Sequence, residues 1–404
     1  MKRIGNKKLI RDINISRILR LINERGQISR TDLSKETGLS LAAICKIIDN
    51  LIEMGLVYEA MEGRSTGGRK PVLLSINKEA FYVIGLKIAV NEITFVLTGI
   101  DANPVQKLVY PAPYPLSLEN IILLIESGVR KIISLASVSL DRFLGVGIGV
   151  SGFVNFKEGV VVKSGILRWE NVPLKSLLEE RLGISIYIDN DVNTLAMAEK
   201  IFGVAQKYEN FILVTIGRGV GSGIFINGEL YRGAIGGGGE FGHIPVNSEG
   251  PVCECGNRGC LETYVADPFL VEKAKEGLKK GKESIIPNIV DDIEQISPEI
   301  ILEAAKRGDK FSREIFSEAG EYLGRGLATL VNILNPELII LSGEGMRAEE
   351  FLIDSVIRSL KVHSFANLDK NVRIIPLKLE DETWAIGAAA LAINKIFEVR
   401  EENL

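Results

Sequence analysis

The chain has 404 residues, 46 % of them hydrophobic and 25 % charged, enough for two or three domains with packed cores. It has no run of about 18 uncharged apolar residues, so no membrane span is expected, and its basic start lacks the apolar stretch and cleavage site of a signal peptide. The net charge of -4 is unevenly placed: residues 1–70 hold 14 Lys+Arg against 8 Asp+Glu, which predicts a polyanion partner for the first domain alone.

In residues 1–78, Ile13, Ile15, Ile18, Leu19, Leu21 and Ile22 recur near helical spacing, and that pattern stops at Gly26. Ser29 or Thr31 can cap a short second helix, which Gly38 ends. Ser40 precedes a third helix with Ile44, Ile47, Ile48, Leu51 and Ile52 as its apolar stripe. Leu56–Glu59 and Pro71–Ile76 then read as short strands around the basic loop GRSTGGRK. This order spells a winged helix-turn-helix. Ser40 opens the third helix, and Leu41, Ala42, Cys45 and Lys46 lie off its apolar stripe, where they would face the major groove of operator DNA. Arg64, Arg69 and Lys70 in the loop suit phosphate contacts or a narrow minor groove. The alternative is a helical protein-interaction domain with a solvated basic loop. Order, spacing and charge agree better with DNA.

Residues 79–195 form the first lobe of an α/β body. Tyr82–Ala89, Glu92–Leu97, Gly145–Val150 and Ile184–Asp189 read as strands, with helical patterns at Leu118–Ser137 and Leu174–Leu182. Asp189-Asn190-Asp191 follows a strand and opens a helix, a favoured ligand position in an α/β sheet. The same three residues would also serve as a turn and N-cap.

Residues 196–384 form the second lobe. Phe211–Ile216, Ser222–Ile226 and Glu229–Tyr231 are strands, and Leu302–Ala305 and Phe316–Leu334 are helical. Between them lies GGGGEFGHIPVNSEGPVCECGNRGCLE, with three of the four cysteines. His243, Cys253, Cys255 and Cys260 are a sufficient ligand list for one structural Zn²⁺ per chain. A disulfide would leave an odd cysteine, and C-x-C spacing is awkward to bridge. Few cysteines, three of them assigned to metal, predict a reducing cytoplasm. His363 stands alone and is expected on the surface or in a loop.

Gly239-Glu240-Phe241-Gly242-His243, then Cys253-x-Cys255-Gly256-x-x-Gly259-Cys260-x-Glu262, resembles the signature of the ROK family of repressors and sugar kinases. The resemblance covers essentially the whole chain. It implies a winged helix-turn-helix followed by a two-lobed, actin-like, sugar-kinase-like body, with the C-terminal helix 385–404 completing the first lobe. It further implies that His243 both ligates zinc and faces a sugar, which Glu240 and Glu262 flank. Asn190 and Asp191 match an Asn-Asp pair whose amide binds sugar hydroxyls and whose carboxylate is the kinases' base. Gly152 matches another sugar-facing loop.

Kinase members carry an Asp-x-Gly-Gly-Thr phosphate loop where this chain has Lys87-Ile88-Ala89-Val90-Asn91. The aspartate has become lysine, and Ala89 and Val90 bring Cβ atoms where amides would approach phosphates. ATP use is therefore expected to be lost, leaving no catalytic residue. Ile216–Gly221 and Asn335–Gly345 resemble the second phosphate loop and the adenosine turn, and read as retained scaffold. Repressor members carry a front domain with a wing like Gly67-Gly68-Arg69. The implied function is a sugar-responsive repressor of carbohydrate-utilisation genes, nearest to the xylose-repressor type. It would be a homodimer or higher oligomer binding a monosaccharide, xylose or glucose first, between its lobes. Two other functions stay open: a bifunctional ATP-dependent sugar kinase that also binds DNA, and a regulator whose signal is a phosphotransfer protein.

Overall fold

The computed structural model describes residues 7–62, 71–113, 116–380 and 382–397. Arg64, Arg69 and Lys70 lie outside the described residues. Two compact units are present, Met1–Gln206 with Trp384–Leu404, and Lys207–Thr383.

The first unit opens with three helices, α1 (Lys7–Arg25), α2 (Arg30–Thr37) and α3 (Leu41–Glu53). Ser29 caps α2 by accepting the N–H of Asp32 at 3.1 Å. Gly38 ends it at φ 74°, left-handed backbone that suits glycine. Ser40 caps α3 by accepting from Ala43 at 3.3 Å. Ile44, Ile47, Ile48 and Leu51 are buried along one face of α3. Strands Val57–Glu62 and Val72–Ile76 pair antiparallel behind it, and Ile28–Ser29 adds a third strand.

A five-stranded sheet follows, in the spatial order Ile186–Asn190, Phe143–Val150, Tyr82–Ile88, Asn91–Gly99 and Pro104–Ala112. Phe143–Val150 is parallel to both neighbours, and the other pairs are antiparallel. Helices Leu118–Ala136 and Leu174–Leu182 cover its core. Strand Pro104–Ala112 and a small sheet of Phe153–Asn155, Val160–Ser164 and Trp169–Val172 add to the expected strands. Helix Asp191–Ile201 runs unbroken through the boundary expected at 195/196, and the unit continues to Gln206 because a helix is not a hinge.

The last helix, Thr383–Phe397, belongs to this unit from Trp384 onward. It lies directly on the sheet. A Cβ at Gly85 or Gly147 would stand 1.8 Å from the carbonyl oxygen of Ala385 or Ala388, so no other residue fits beneath the helix backbone. Its Ala389, Ala392 and Ile393 join Val83 of the sheet and Ile18, Leu19, Ile22, Ile44 and Ile48 of the winged helix in one buried cluster. Ile18 and Ile22 are fully buried, each contributing about 1.5–3 kcal/mol of transfer free energy. The helices of the winged helix and the first sheet thus share a core.

In the second unit the strands run Glu229–Tyr231, Val220–Ile226, Phe211–Ile216, Leu338–Ser342 and Arg373–Pro376 in space. Its longest helix, Lys310–Leu334, is capped by Asp309, which accepts from Ser312 at 2.8 Å. Helix Glu349–His363 packs against this core. His363 is exposed and ends that helix, its Nδ1 2.8 Å from the carbonyl oxygen of Ser359. No helix among the described residues is long and apolar enough to cross a membrane.

Candidate functional site

The signature segment of the second unit is pinned to strand Val220–Ile226. Both the N–H and the hydroxyl of Ser222 donate to the carbonyl of Gly239, at 3.1 and 2.9 Å. Gly239 sits at φ 96°, and a Cβ there would stand 2.3 Å from the Ser222 carbonyl oxygen. The short 3-10 turn Phe241–His243 follows, placing Glu240 and His243 on one rim. The next loop closes on itself: Cys253 donates to Asn257 at 2.7 Å, and Gly259 to Pro251 at 2.8 Å.

These bonds gather His243, Cys253, Cys255 and Cys260 so that their ligand atoms all lie within 4.8 Å of one another. Cys253 Sγ is 3.5 Å from His243 Nδ1, and Cys255 Sγ is 3.7 Å from Cys260 Sγ. A tetrahedral ion with metal–sulfur bonds of about 2.3 Å and metal–nitrogen bonds of about 2.0–2.1 Å separates two sulfurs by about 3.8 Å, and sulfur from nitrogen by about 3.5 Å. The protein therefore presents two edges of that tetrahedron. Burial pushes the Cys253 thiol up to about 12, so three thiolates would not coexist here without a cation.

Glu262 opens the helical turn after Cys260. Its Oε2 accepts the N–H of Val220 at 3.0 Å, and its Oε1 is 3.8 Å from Cys253 Sγ. Glu240 Oε2 stands 3.9 Å from His243 Nε2, too far for a hydrogen bond. Glu240 and Glu262 thus stand beside the cluster of His243, Cys253, Cys255 and Cys260 in one unit.

In the first unit, Gly152, Asn190 and Asp191 come together. Asn190 is the N-cap of helix Asp191–Ile201: its Oδ1 accepts from Val192 at 2.9 Å and from Asn193 at 3.2 Å. Its Nδ2 donates to the carbonyl of Gly152 at 3.0 Å, so the turn-and-cap role is realised in full. Asp191 Oδ1 accepts from its neighbour Val192 at 3.0 Å. Its Oδ2 accepts from Nζ of Lys87, which reaches across from the end of strand Tyr82–Ile88. Lys87 thus pairs with a residue 104 positions away, and no local pattern announces that pairing. Asn193 is also buried; its Nδ2 donates to Asp189 at 3.1 Å, and its Oδ1 has no hydrogen-bond partner among the described residues.

A second residue that sequence reasoning missed is Glu344. Its carboxylate folds over Gly217, standing 2.3 Å from where a Cβ there would be. Gly217 belongs to the run that resembles the second phosphate loop, and this carboxylate fills the space beside it. Nearby, Arg347 pairs with Asp267 at 2.6 Å. Burial raises the Asp267 carboxyl above its ordinary value despite that partner.

On the winged helix, Ser40, Leu41, Ala42 and Lys46 are all exposed on one flank of α3, with Cys45 half-buried between them. Leu41 shows 49 % of its surface, large for an apolar side chain with no core role. Lys46 has no ion pair among the described residues.

The fold and this site define a winged-helix protein built on a sugar-kinase-like body. Residues 83–395 match the ROK family and residues 11–58 match a winged helix-turn-helix DNA-binding domain. The chain belongs to the ROK family. It is 33 % identical over 98 % of its length to the whole of a xylose repressor of Caldicellulosiruptor bescii. It is 31 % identical, over 96 % of its length and 94 % of theirs, to NagC, a DNA-binding transcriptional dual regulator of Escherichia coli. Among solved structures, a ROK family transcriptional regulator described as a homolog of the E. coli MLC protein superposes with a TM-score of 0.85 at 27 % identity, over 96 % of this chain and 97 % of that one. A ROK glucokinase of Streptomyces griseus superposes with a TM-score of 0.67 at 28 % identity, over 77 % of this chain and 98 % of that one.

Proposed function

We propose that this protein is a sugar-responsive transcriptional regulator, a repressor of carbohydrate-utilisation genes, without kinase activity. Its winged helix reads double-stranded operator DNA through Ser40, Leu41, Ala42 and Lys46, with Arg64, Arg69 and Lys70 of the wing on the phosphates or the minor groove. Gly152, Asn190, Asp191, Glu240, His243 and Glu262 meet a monosaccharide effector. His243, Cys253, Cys255 and Cys260 hold one structural zinc, which keeps Glu240 and Glu262 in place. The regulator works in the cytoplasm as a homodimer or higher oligomer. Xylose leads the effector candidates, because the C. bescii relative is named a xylose repressor; glucose follows.

The observation that carries the non-enzymatic reading is the ion pair between Lys87 and Asp191. A phosphotransfer base must be free to meet the proton of the attacking hydroxyl, and both Asp191 oxygens already accept hydrogen bonds, Oδ1 from the N–H of Val192 and Oδ2 from Lys87. Glu344 beside Gly217 adds a like charge where phosphates would approach. The likeness to a glucokinase supports the rival, a kinase that also binds DNA. Operator gel shifts with a monosaccharide panel, run beside a coupled ATP assay, separate the two. Sugar-dependent change in operator affinity without sugar phosphate supports the regulator; Asp191-dependent turnover would replace it with the bifunctional kinase.

A further inference from the structure

The Lys87–Asp191 pair has a second aspect, which rests on the reading of Asp191 as an effector residue. Both side chains are mostly enclosed, with 16 % of Lys87 and 10 % of Asp191 exposed. Asp191 Oδ1 takes the N–H of Val192, and Oδ2 takes Nζ of Lys87. On its other side the ammonium lies 4.4 Å from the centroid of the Trp384 ring, within cation–π range. An ammonium has three N–H groups, and each carboxylate oxygen two lone pairs. One N–H of Lys87 goes to Asp191 and the π face takes up another. What remains is one donor on Nζ directly beside one open lone pair on Oδ2.

Such a neighbouring donor and acceptor match two adjacent hydroxyls, since a hydroxyl both donates and accepts. The pair carries no net charge. An anionic ligand group meets the Asp191 carboxylate at once, and a cationic one meets Lys87, so both lack what a neutral ligand finds. The strand end and the helix start that carry the two residues are fixed by the sheet and by the Asn190 cap. The donor and acceptor are therefore held ready before any ligand arrives.

We propose that Lys87 is a ligand-contacting residue, and that the Lys87–Asp191 pair recognises two adjacent hydroxyls of a neutral monosaccharide. One hydroxyl donates to Asp191 Oδ2, and its neighbour accepts from Lys87 Nζ. Specificity at this point is for an uncharged vicinal diol.

The test is calorimetric titration of the full chain with D-xylose, D-glucose and the monodeoxyglucoses, for the wild type, Lys87→Met and Lys87→Gln. The wild type should bind a neutral sugar, and Lys87→Met should bind it about tenfold or more weakly. One deoxy analogue should be disfavoured by the wild type yet bind Lys87→Met no worse than the parent sugar does, because its missing hydroxyl is the one Lys87 serves. A role in stability alone would not produce that loss of discrimination. Lys87→Gln keeps a donor toward Asp191, and is read in the same way if Lys87→Met does not fold. Undiminished affinity and unchanged discrimination in the folded variant overturn this inference and leave the regulator reading standing. No binding of any neutral sugar by the wild type overturns the effector reading itself, and this inference with it.

Discussion

Asn23, near the end of α1, donates its side-chain N–H to the backbone carbonyl of Ile201 at 3.3 Å. Ile201 ends the helix that Asp191 begins. The winged helix thus grips one end of an element whose other end carries the proposed sugar contacts. Asn23→Ala is expected to keep monosaccharide affinity within about twofold. The change in operator affinity caused by sugar should shrink by about 1 kcal/mol, or about fivefold. Gel shifts with and without saturating sugar measure this, and an equal ratio in variant and wild type counts against a route through this helix.

Metal removal gives the second expectation. Purified protein should contain one zinc per chain, and Cys255→Ser should lose it together with the sugar response. The pH dependence has a fixed sign. In the metal-free protein burial raises the Cys253 thiol to about 12, so its folded form prefers the proton. That stability is present below the thiol's ordinary value and is lost as pH rises toward about 12. Zinc affinity runs the other way, rising with pH, because each ligand must shed its proton. Zinc titration should therefore release protons at neutral pH. Metal analysis without zinc, or binding without proton release, would contradict the four-ligand site.

For DNA, Lys46→Ala and Arg69→Ala should each weaken operator binding and reduce the slope of log affinity against log salt by about 1. Leu41→Glu, which puts a carboxylate at the proposed groove face of α3, should abolish specific binding. Fluorescence anisotropy over a salt series reads all three. An unchanged slope in Lys46→Ala would move the groove face off this flank of α3.

The kinase question has its own variant. Lys87→Asp restores a carboxylate at the phosphate-loop position. It should still give no sugar phosphate above background with ATP, Mg²⁺ and D-glucose. Ala89 and Val90 remain in that loop, and Glu344 still faces Gly217. Turnover in this variant would show that Lys87 alone stands between the chain and catalysis.

The parts legible in sequence were those set by local rules. Ser29, Gly38 and Ser40 announced the helix ends of the winged helix, and the stripe of Ile44, Ile47, Ile48 and Leu51 its buried face. Clustered soft ligands announced the metal set. Strand Pro104–Ala112 escaped because it lies at the sheet edge with most of its residues exposed or half-exposed, and so shows weak alternation. The Lys87–Asp191 pair escaped because 104 residues separate its members. Glu344 read as part of a retained turn, since nothing local says that its side chain folds back on Gly217.

The cluster in which Ile18, Leu19 and Ile22 meet Ala389, Ala392 and Ile393 bears on how such a chain can be assembled. A head joined to a body by a free linker can be exchanged as a cassette. This head cannot, because part of its interior is supplied by residues about 370 positions downstream. Grafting residues 1–78 onto another body would part the head residues of this cluster from Val83, Ala389, Ala392 and Ile393, which share it. The two ends of this chain are parts of one core, and a working graft would have to carry residues from both.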